Sequence, residues 1–353
     1  MTTPITRREL AVLATGGMVL RAAQARPIRC AVIGTGHGHA ISKIRALRSM
    51  PEYELAGVAR PDPRETDQHE VLRGVKWTTV DAIASDRSIE MAAIETADFD
   101  KNLEYAERMV AAGKFLHFDK PPGADLRRLK ALLDEAARRG RVVQMGYQWR
   151  YHPAMQAVLE AARQGWLGQV YRFRASIDKL VEPEEREQLA RHKGGLMFSE
   201  GCHLIDRAVD LLGTPERAVG FLRQDSPLDD GLMDNTLAVL EFPGALAEIS
   251  LAGFHERGGR YRYLEVQGTN GFARMQPYAF PSTLTVDLAR AAGPYAAGFQ
   301  SKEIPAPPGL AYTPDFRELA AIMREGARPQ WSAAHDLAVH ETLLRVCGML
   351  NPA

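Results

Sequence analysis

The chain has 353 residues, with 44 lysines and arginines against 44 aspartates and glutamates. That balance argues against nucleic acid or an anionic membrane surface as a partner, and the length fits two domains of ordinary size. The three cysteines, Cys30, Cys202 and Cys347, are odd in number and scattered, so they suggest neither a disulfide framework nor a CxxC metal site.

In chain order, Thr6-Arg7-Arg8-Glu9-Leu10 leads into the mildly apolar run 11–20, then Arg21 and Ala23-Gln24-Ala25. The pattern predicts a twin-arginine export signal over residues 1–25, and with it a periplasmic protein whose dealing with a membrane ends at export. A frayed N-terminal helix is the plainer alternative. Next, Ile28-Arg29-Cys30-Ala31-Val32-Ile33 breaks into Gly34-Thr35-Gly36-His37-Gly38-His39 before a helical pattern begins. A strand that turns into a helix through glycines aims backbone N–H groups and the helix dipole at an anion, so these six residues point to a dinucleotide. His39 stands where a third glycine is usual. His37 and His39 also invite a metal reading, but no third ligand stands near them in the sequence, and no metal is predicted.

Further strands are predicted over 54–58, 89–94, 114–118 and, closing the sheet as a sixth, 141–145, with helices over 39–49, 101–112 and 124–139. This alternation predicts a doubly wound parallel sheet. The second strand ends at Arg60, where NAD enzymes normally place an acid on the adenosine ribose. A guanidinium there, with Arg64 nearby, suits a 2′-phosphate and leans the cofactor towards NADP, although Asp62 could still reach the ribose. Pro121 disfavours helical backbone at Lys120 and holds it extended at the carboxyl end of the fifth strand, the edge at which open α/β sheets bind ligands.

From Gly168 the texture changes to period-two strands over 169–175, 236–242, 247–252, 261–267 and 271–275, predicting an antiparallel sheet with one buried face. Helices are predicted over 200–212, 314–325 and 334–349, and the charged segment 178–193 reads as a mobile loop or an inert solvated face. His203, at the start of the first of these helices, suits proton acceptance; Asp206 at i+3 could orient it, and Glu200 at i−3 could raise its pKa. Arg150 could fork onto substrate oxygens, while Trp149 and Tyr151 enter a cleft or pack in the core.

Taken together, the glycine loop, Asp119-Lys120-Pro121, Gly146-Tyr147-Gln148-Trp149-Arg150-Tyr151, and Gly194-Gly195 followed by Glu200-Gly201-Cys202-His203-Leu204-Ile205-Asp206 resemble the glucose-fructose oxidoreductase, inositol dehydrogenase and rhizopine-catabolism (Gfo/Idh/MocA) family. The resemblance implies an NAD(P)-binding Rossmann domain over 28–147, then a substrate-binding α+β domain over 148–353. That second domain would be an open, mainly antiparallel sheet with flanking helices, its last helices packing back on the first domain. It implies sugars or polyols handled at a carbinol carbon, with Lys120 and His203 catalytic and Arg150, Tyr151, Glu200 and Asp206 on the substrate. Thr96, Asp98, Lys101, Asp119, Lys120, Gln148 and Trp149 would join the glycine loop and Arg60 around the cofactor. The chain departs from the family's pattern at Asp119, Ser199 and the stretch Thr96-Ala97-Asp98-Phe99-Asp100-Lys101.

Export of a folded, cofactor-loaded protein points to a nucleotide that does not dissociate, hence to redox-closed chemistry. Three readings follow: an oxidoreductase, a glycoside hydrolase working through transient oxidation and elimination, and a non-catalytic nucleotide- or sugar-binding protein. An open sheet with one uncovered face points to a homo-oligomer.

Overall fold

The computed structural model describes residues 26–309 and 311–350. The predicted export signal lies outside them. Six parallel strands form the first sheet: β1 (Ile28–Ile33), β2 (Tyr53–Ala59), β3 (Trp77–Thr78), β4 (Met91–Ile94), β5 (Phe115–Phe118) and β6 (Val143–Met145), in the order β3-β2-β1-β4-β5-β6. Helices α1 (Ala40–Ser49), α2 (Val80–Ser85), α3 (Phe99–Ala111) and α4 (Leu126–Arg138) connect them. Both faces of this sheet are covered, which is why β4 reads Met-Ala-Ala-Ile without polar alternation and is buried throughout. The strand order reverses between β1 and β4, so a crevice opens where Gly34 follows β1 and Glu95 and Thr96 follow β4. Gly34 has φ +97°, and a Cβ there would lie 2.5 Å from the Thr96 nitrogen. Glycine is therefore required at this crossing.

The second lobe begins with α5 (Pro153–Arg163), whose first turn is set by Pro153 and by the His152 ring accepting from the Met155 N–H. Its sheet is built from β7 (Val170–Asp178), β8 (Arg217–Arg223), β9 (Asn235–Phe242), β10 (Ala245–Ala252), β11 (Tyr263–Gly268), β12 (Gly271–Gln276), β13 (Ser282–Leu288) and β14 (Gly298–Ile304). These lie in the order β14-β13-β12-β11-β7-β10-β9-β8. Every pairing is antiparallel except β7 with β10, so the sheet is mixed rather than purely antiparallel. The parallel pair arises because the chain leaves β7 through α6 (Pro183–Ala190) and α7 (Cys202–Leu212) before the β8-β9-β10 meander brings it back alongside.

Alternation decides which face is buried: Phe173, Ala175 and Ile177 point inward with Ala238, Leu240 and Ile249, under α5 and α7. Burial of each of the larger ones, Phe173, Ile177, Leu240 and Ile249, contributes about 1.5–3 kcal/mol relative to exposure. The segment expected as a mobile or inert charged stretch contains the ordered helix α6, pinned by Arg186 to Asp230 and Asp234 and by the Gln188 amide to the Ala97 carbonyl (2.6 Å). α8 (Thr313–Glu325) returns to the first lobe, where the Tyr53 hydroxyl donates to the Phe316 carbonyl (2.7 Å), and α9 (Ala333–Val346) packs on α7.

Candidate active site

At the mouth of the crevice, Lys43 from α1 is fully buried between two carboxylates, with its Nζ 2.8 Å from Glu95 Oε1 and 3.0 Å from Asp119 Oδ2. His37 and His39 bring their Nδ1 atoms to the same Asp119 oxygen, at 2.8 and 3.1 Å. One ammonium cannot neutralise two buried acids, and the sharing is unequal. Burial opposes ionisation of Asp119, but His37, Lys43 and His39 hold it well below the usual carboxylate range, while burial carries Glu95 well above it. Burial likewise lowers the His39 imidazole to about 4. Asp119 thus supplies the third metal-type ligand that the sequence did not place beside His37 and His39, yet Lys43 already occupies its cationic side.

Lys120 follows on the same strand end, its N–H fixed by Asp119 Oδ1 (2.8 Å). Its ammonium donates to the Ser199 carbonyl (3.0 Å) and lies 3.6 Å from Glu200 Oε2. Ser199 and Glu200 stand in a π-helical turn, Met197–Gly201, that runs directly into α7 and so carries these groups and His203 to the cleft. Burial works against the Lys120 charge, but Glu200 and its neighbours raise its pKa. Lys179 binds the other Glu200 oxygen at 3.6 Å, and the two lysines hold Glu200 well below its ordinary value against burial. Glu200 acts on His203 in the expected direction, raising its pKa, but burial and Lys120 outweigh it, and the direct partners of the carboxylate are the two lysines.

His203 is 1% exposed, and neither ring nitrogen has a partner among the described residues. Its ring lies 4.4 Å from the Trp149 ring, and burial followed by the Lys120 charge holds it well below 6.5. Trp149 in turn meets Tyr278 edge-on at 4.7 Å. Beyond them is a cavity of about 290 Å³ bordered by Gln148, Trp149, Tyr278, Phe280, Tyr312 and Asp315. Asp315, pushed up to about 7 by burial, leaves one carboxyl oxygen unpartnered among the described residues. Gln148 also reaches within 3.5 Å of the His39 ring.

Three expected substrate residues are engaged by other side chains, although Tyr151 also borders this cavity. Arg150 is 2% exposed and grips Asp206 (2.7 Å) and Asp336, so its fork is already spent. Asp206 does not orient His203: its oxygens are taken by Arg150, Arg207 (2.5 Å) and His335 (2.9 Å). The Tyr151 hydroxyl donates to Glu318 and its ring lies against Trp331.

For the nucleotide, the glycine loop presents the Thr35 N–H to a carboxylate, Glu65 Oε2 at 2.9 Å, an internal stand-in for an anion that shows the loop can hold one. Loop and lysine therefore fit a dinucleotide. Around them the expectations divide. Thr96 closes a reciprocal pair with Asn102 (2.7–3.0 Å) that shapes the turn after β4. Asp98 instead caps α3 through the Asp100 and Lys101 N–H groups, and Lys101 is exposed in a pair with Glu104 (2.9 Å). Arg60 is bound to Asp67 (2.5 Å) and to the Glu65 carbonyl (3.2 Å), so it is not a free phosphate fork. Lys43, Glu95, Glu65, Lys179 and Asp315 had no sequence signal beyond their type; Glu95 directly follows a buried strand, the one clue that it enters the crevice.

Models of two domains match this chain: "Oxidoreductase family, NAD-binding Rossmann fold" over residues 28–147 and "GFO/IDH/MocA C-terminal domain" over 155–274, together about two thirds of its length. The chain belongs to the Gfo/Idh/MocA oxidoreductase family. Within the family it is 28% identical over 212 residues to an uncharacterized oxidoreductase of Schizosaccharomyces pombe, covering 58% of this chain and 57% of that one. It is 26% identical over 255 residues to inositol 2-dehydrogenase of Rhizobium meliloti, covering 69% and 74%. The chain thus spans less than two thirds of the fission-yeast relative. A solved oxidoreductase from Agrobacterium radiobacter, in complex with NAD+, L-tartaric acid and magnesium, shares the fold with a TM-score of 0.77 over 91% of this chain and 96% of that one, at 16% identity.

Proposed function

We propose that this chain moves hydride to or from a carbinol carbon of a sugar or polyol, with His203 as proton acceptor and Lys120 as charged hydrogen-bond donor. One observation carries the reading: a buried imidazole with both nitrogens idle shares the cleft with a buried ammonium anchored on the π-helical turn. When bound, the nicotinamide ring supplies the hydride acceptor. His203, neutral because burial and Lys120 disfavour its charge, is in the accepting form at neutral pH. Lys120, kept charged by Glu200, donates to the carbinol oxygen and stabilises the negative charge that develops there as the proton leaves. In reduction the two groups act in reverse.

The substrate class rests on the similarity to inositol 2-dehydrogenase and on the aromatic walls of the adjoining cavity, whose faces suit the C–H face of a ring. The export pattern at Arg7-Arg8 supports a periplasmic protein that keeps its nucleotide through turnover. Self-association is supported by Phe221 and Leu246, exposed on the outer face of the second sheet. The test is to purify the protein, identify any nucleotide released on denaturation, and follow absorbance near 340 nm with myo-inositol and a panel of sugars. Turnover lost in Lys120→Met and in His203→Phe supports the assignment; no released or bound nucleotide and no absorbance change with any polyol contradicts it.

A further inference from the structure

We propose that Glu65 receives the adenosine ribose hydroxyls and sets a preference for NAD over NADP. This rests on the dinucleotide reading of the first lobe and reverses the expectation drawn from Arg60. An acid at the end of the second strand normally binds the ribose 2′-hydroxyl. Here that position is Arg60, which Asp67 neutralises. The chain then turns, with the Glu65 N–H on the Asp62 carbonyl at 3.1 Å, and carries Glu65 back to the glycine loop.

Glu65 is 7% exposed. Its Oε2 accepts from the Thr35 N–H, while Oε1 sits 2.8 Å from where a Cβ on Gly36 would lie, so a side chain at 36 would evict it. Oε1 is buried and has no side-chain partner among the described residues, with the Gly36 and Ala97 N–H groups beside the carboxylate. A buried acceptor short of donors is costly unless one arrives. The donor's place is a cavity of about 440 Å³ beside Glu65, bounded by Gly36, Asp62 and Ala97 and closed by Gln188 from α6. It lies at the carboxyl ends of β1, β2 and β4, where this strand order seats an adenosine.

The charges around the cavity give the discrimination. Asp62, Glu65, Glu184 and Glu187 face it with only Arg64 and Arg191 in return. Both arginines are already paired, Arg64 with Asp62 (2.6 Å) and Arg191 with Glu187 (3.1 Å). Two vicinal hydroxyls meet acceptors here; a 2′-phosphate meets like charge.

Calorimetric titration of NAD+ and NADP+ into the full chain, and into Glu65→Gln and Glu65→Ala, tests this. Wild type is expected to bind NAD+ at least about tenfold more tightly than NADP+, as a charged hydrogen bond warrants. Glu65→Ala should lose most of that margin through weaker NAD+ binding, and Glu65→Gln, which keeps size and an acceptor for Thr35, should gain NADP+ affinity. Circular dichroism melts establish that each variant is folded, and if the alanine variant is not, the glutamine variant decides. The proposal is overturned if wild type favours NADP+, if the ratio survives both substitutions, or if both variants bind both nucleotides more tightly, as removal of a plug would cause. If wild type binds neither nucleotide, the dinucleotide reading fails along with it.

Discussion

Two buried ionic regions lie close together where the lobes meet and are built on opposite terms. Around Asp206 every charge is answered: Arg150 and Arg207 share its carboxylate with His335, Asp336 accepts from the same Arg150 Nη2 that bonds Asp206, and the rings of Tyr147 and Trp331 lie 4.8 Å from the Arg150 guanidinium. Around His203 the ammonium of Lys120 is anchored, but the imidazole is left without a partner among the described residues. Native interiors tolerate few idle polar atoms, so a saturated cluster reads as scaffold and an unsaturated one as capacity for a ligand. Location completes the argument. His340 also has no side-chain partner among the described residues, but it packs against the Gly123 backbone, and we assign it no chemistry.

The contrast breaks most sharply under substitution. His203→Phe keeps the shape and removes both idle nitrogens, so kcat should fall by roughly 10²–10⁴-fold while the melting midpoint holds or rises. A large loss of stability would make His203 a structural residue. Arg150→Ala should do the converse. Leaving Asp206 and Asp336 without their shared cation should cost about 3–5 kcal/mol in denaturant unfolding, and a cost below about 1 kcal/mol would deny the cluster its scaffolding role.

Acid sharpens the comparison. Burial pushes His117 and His340 down to about 3. Because both bases have folded values below an unfolded value near 6.5, their stabilising contribution is complete above that pH and is lost as pH falls from there towards 3. Stability measured between pH 7 and 4 should decline by several kcal/mol, on the order expected for two such groups, and His340→Leu should remove part of the slope. A flat profile would mean that neither histidine is held neutral by the fold. The smallest effect belongs to the surface: Lys130→Ala breaks a pair with Asp134 that is exposed on both sides, and the melting midpoint should stay within error.

Much of this was legible in residue order. The first lobe's longer strands fall within three residues of their predicted limits because parallel strands buried on both faces read as apolar runs. β3, two residues long, gives no period to read. In the second lobe the meander was visible from β9 through β12, but the exposed, polar β14 and the weakly patterned β8 were not, and β13 was missed although its residues alternate strictly; nor was the parallel register of β7 with β10 visible, which depends on a crossover rather than on any local pattern. Lys120 and His203 stood out through their neighbours. Arg150 misled because a guanidinium after the last Rossmann strand looks the same whether it serves a substrate or two carboxylates 56 and 186 residues away. Lys43 and Glu65 were invisible for a related reason: on a helix and in a loop they read as solvated charges until the fold buries them against Asp119 and Thr35.

The central claim is that His203 is neutral and unengaged in the resting protein. Nitrogen-15 NMR of the full chain, with the His203 resonances identified by the His203→Phe variant, tests it directly. The account predicts an imidazole that is neutral at pH 7 and still neutral at 6.5, where an ordinary one is half protonated; an imidazolium at pH 7, or an ordinary titration centred near 6.5, would contradict it.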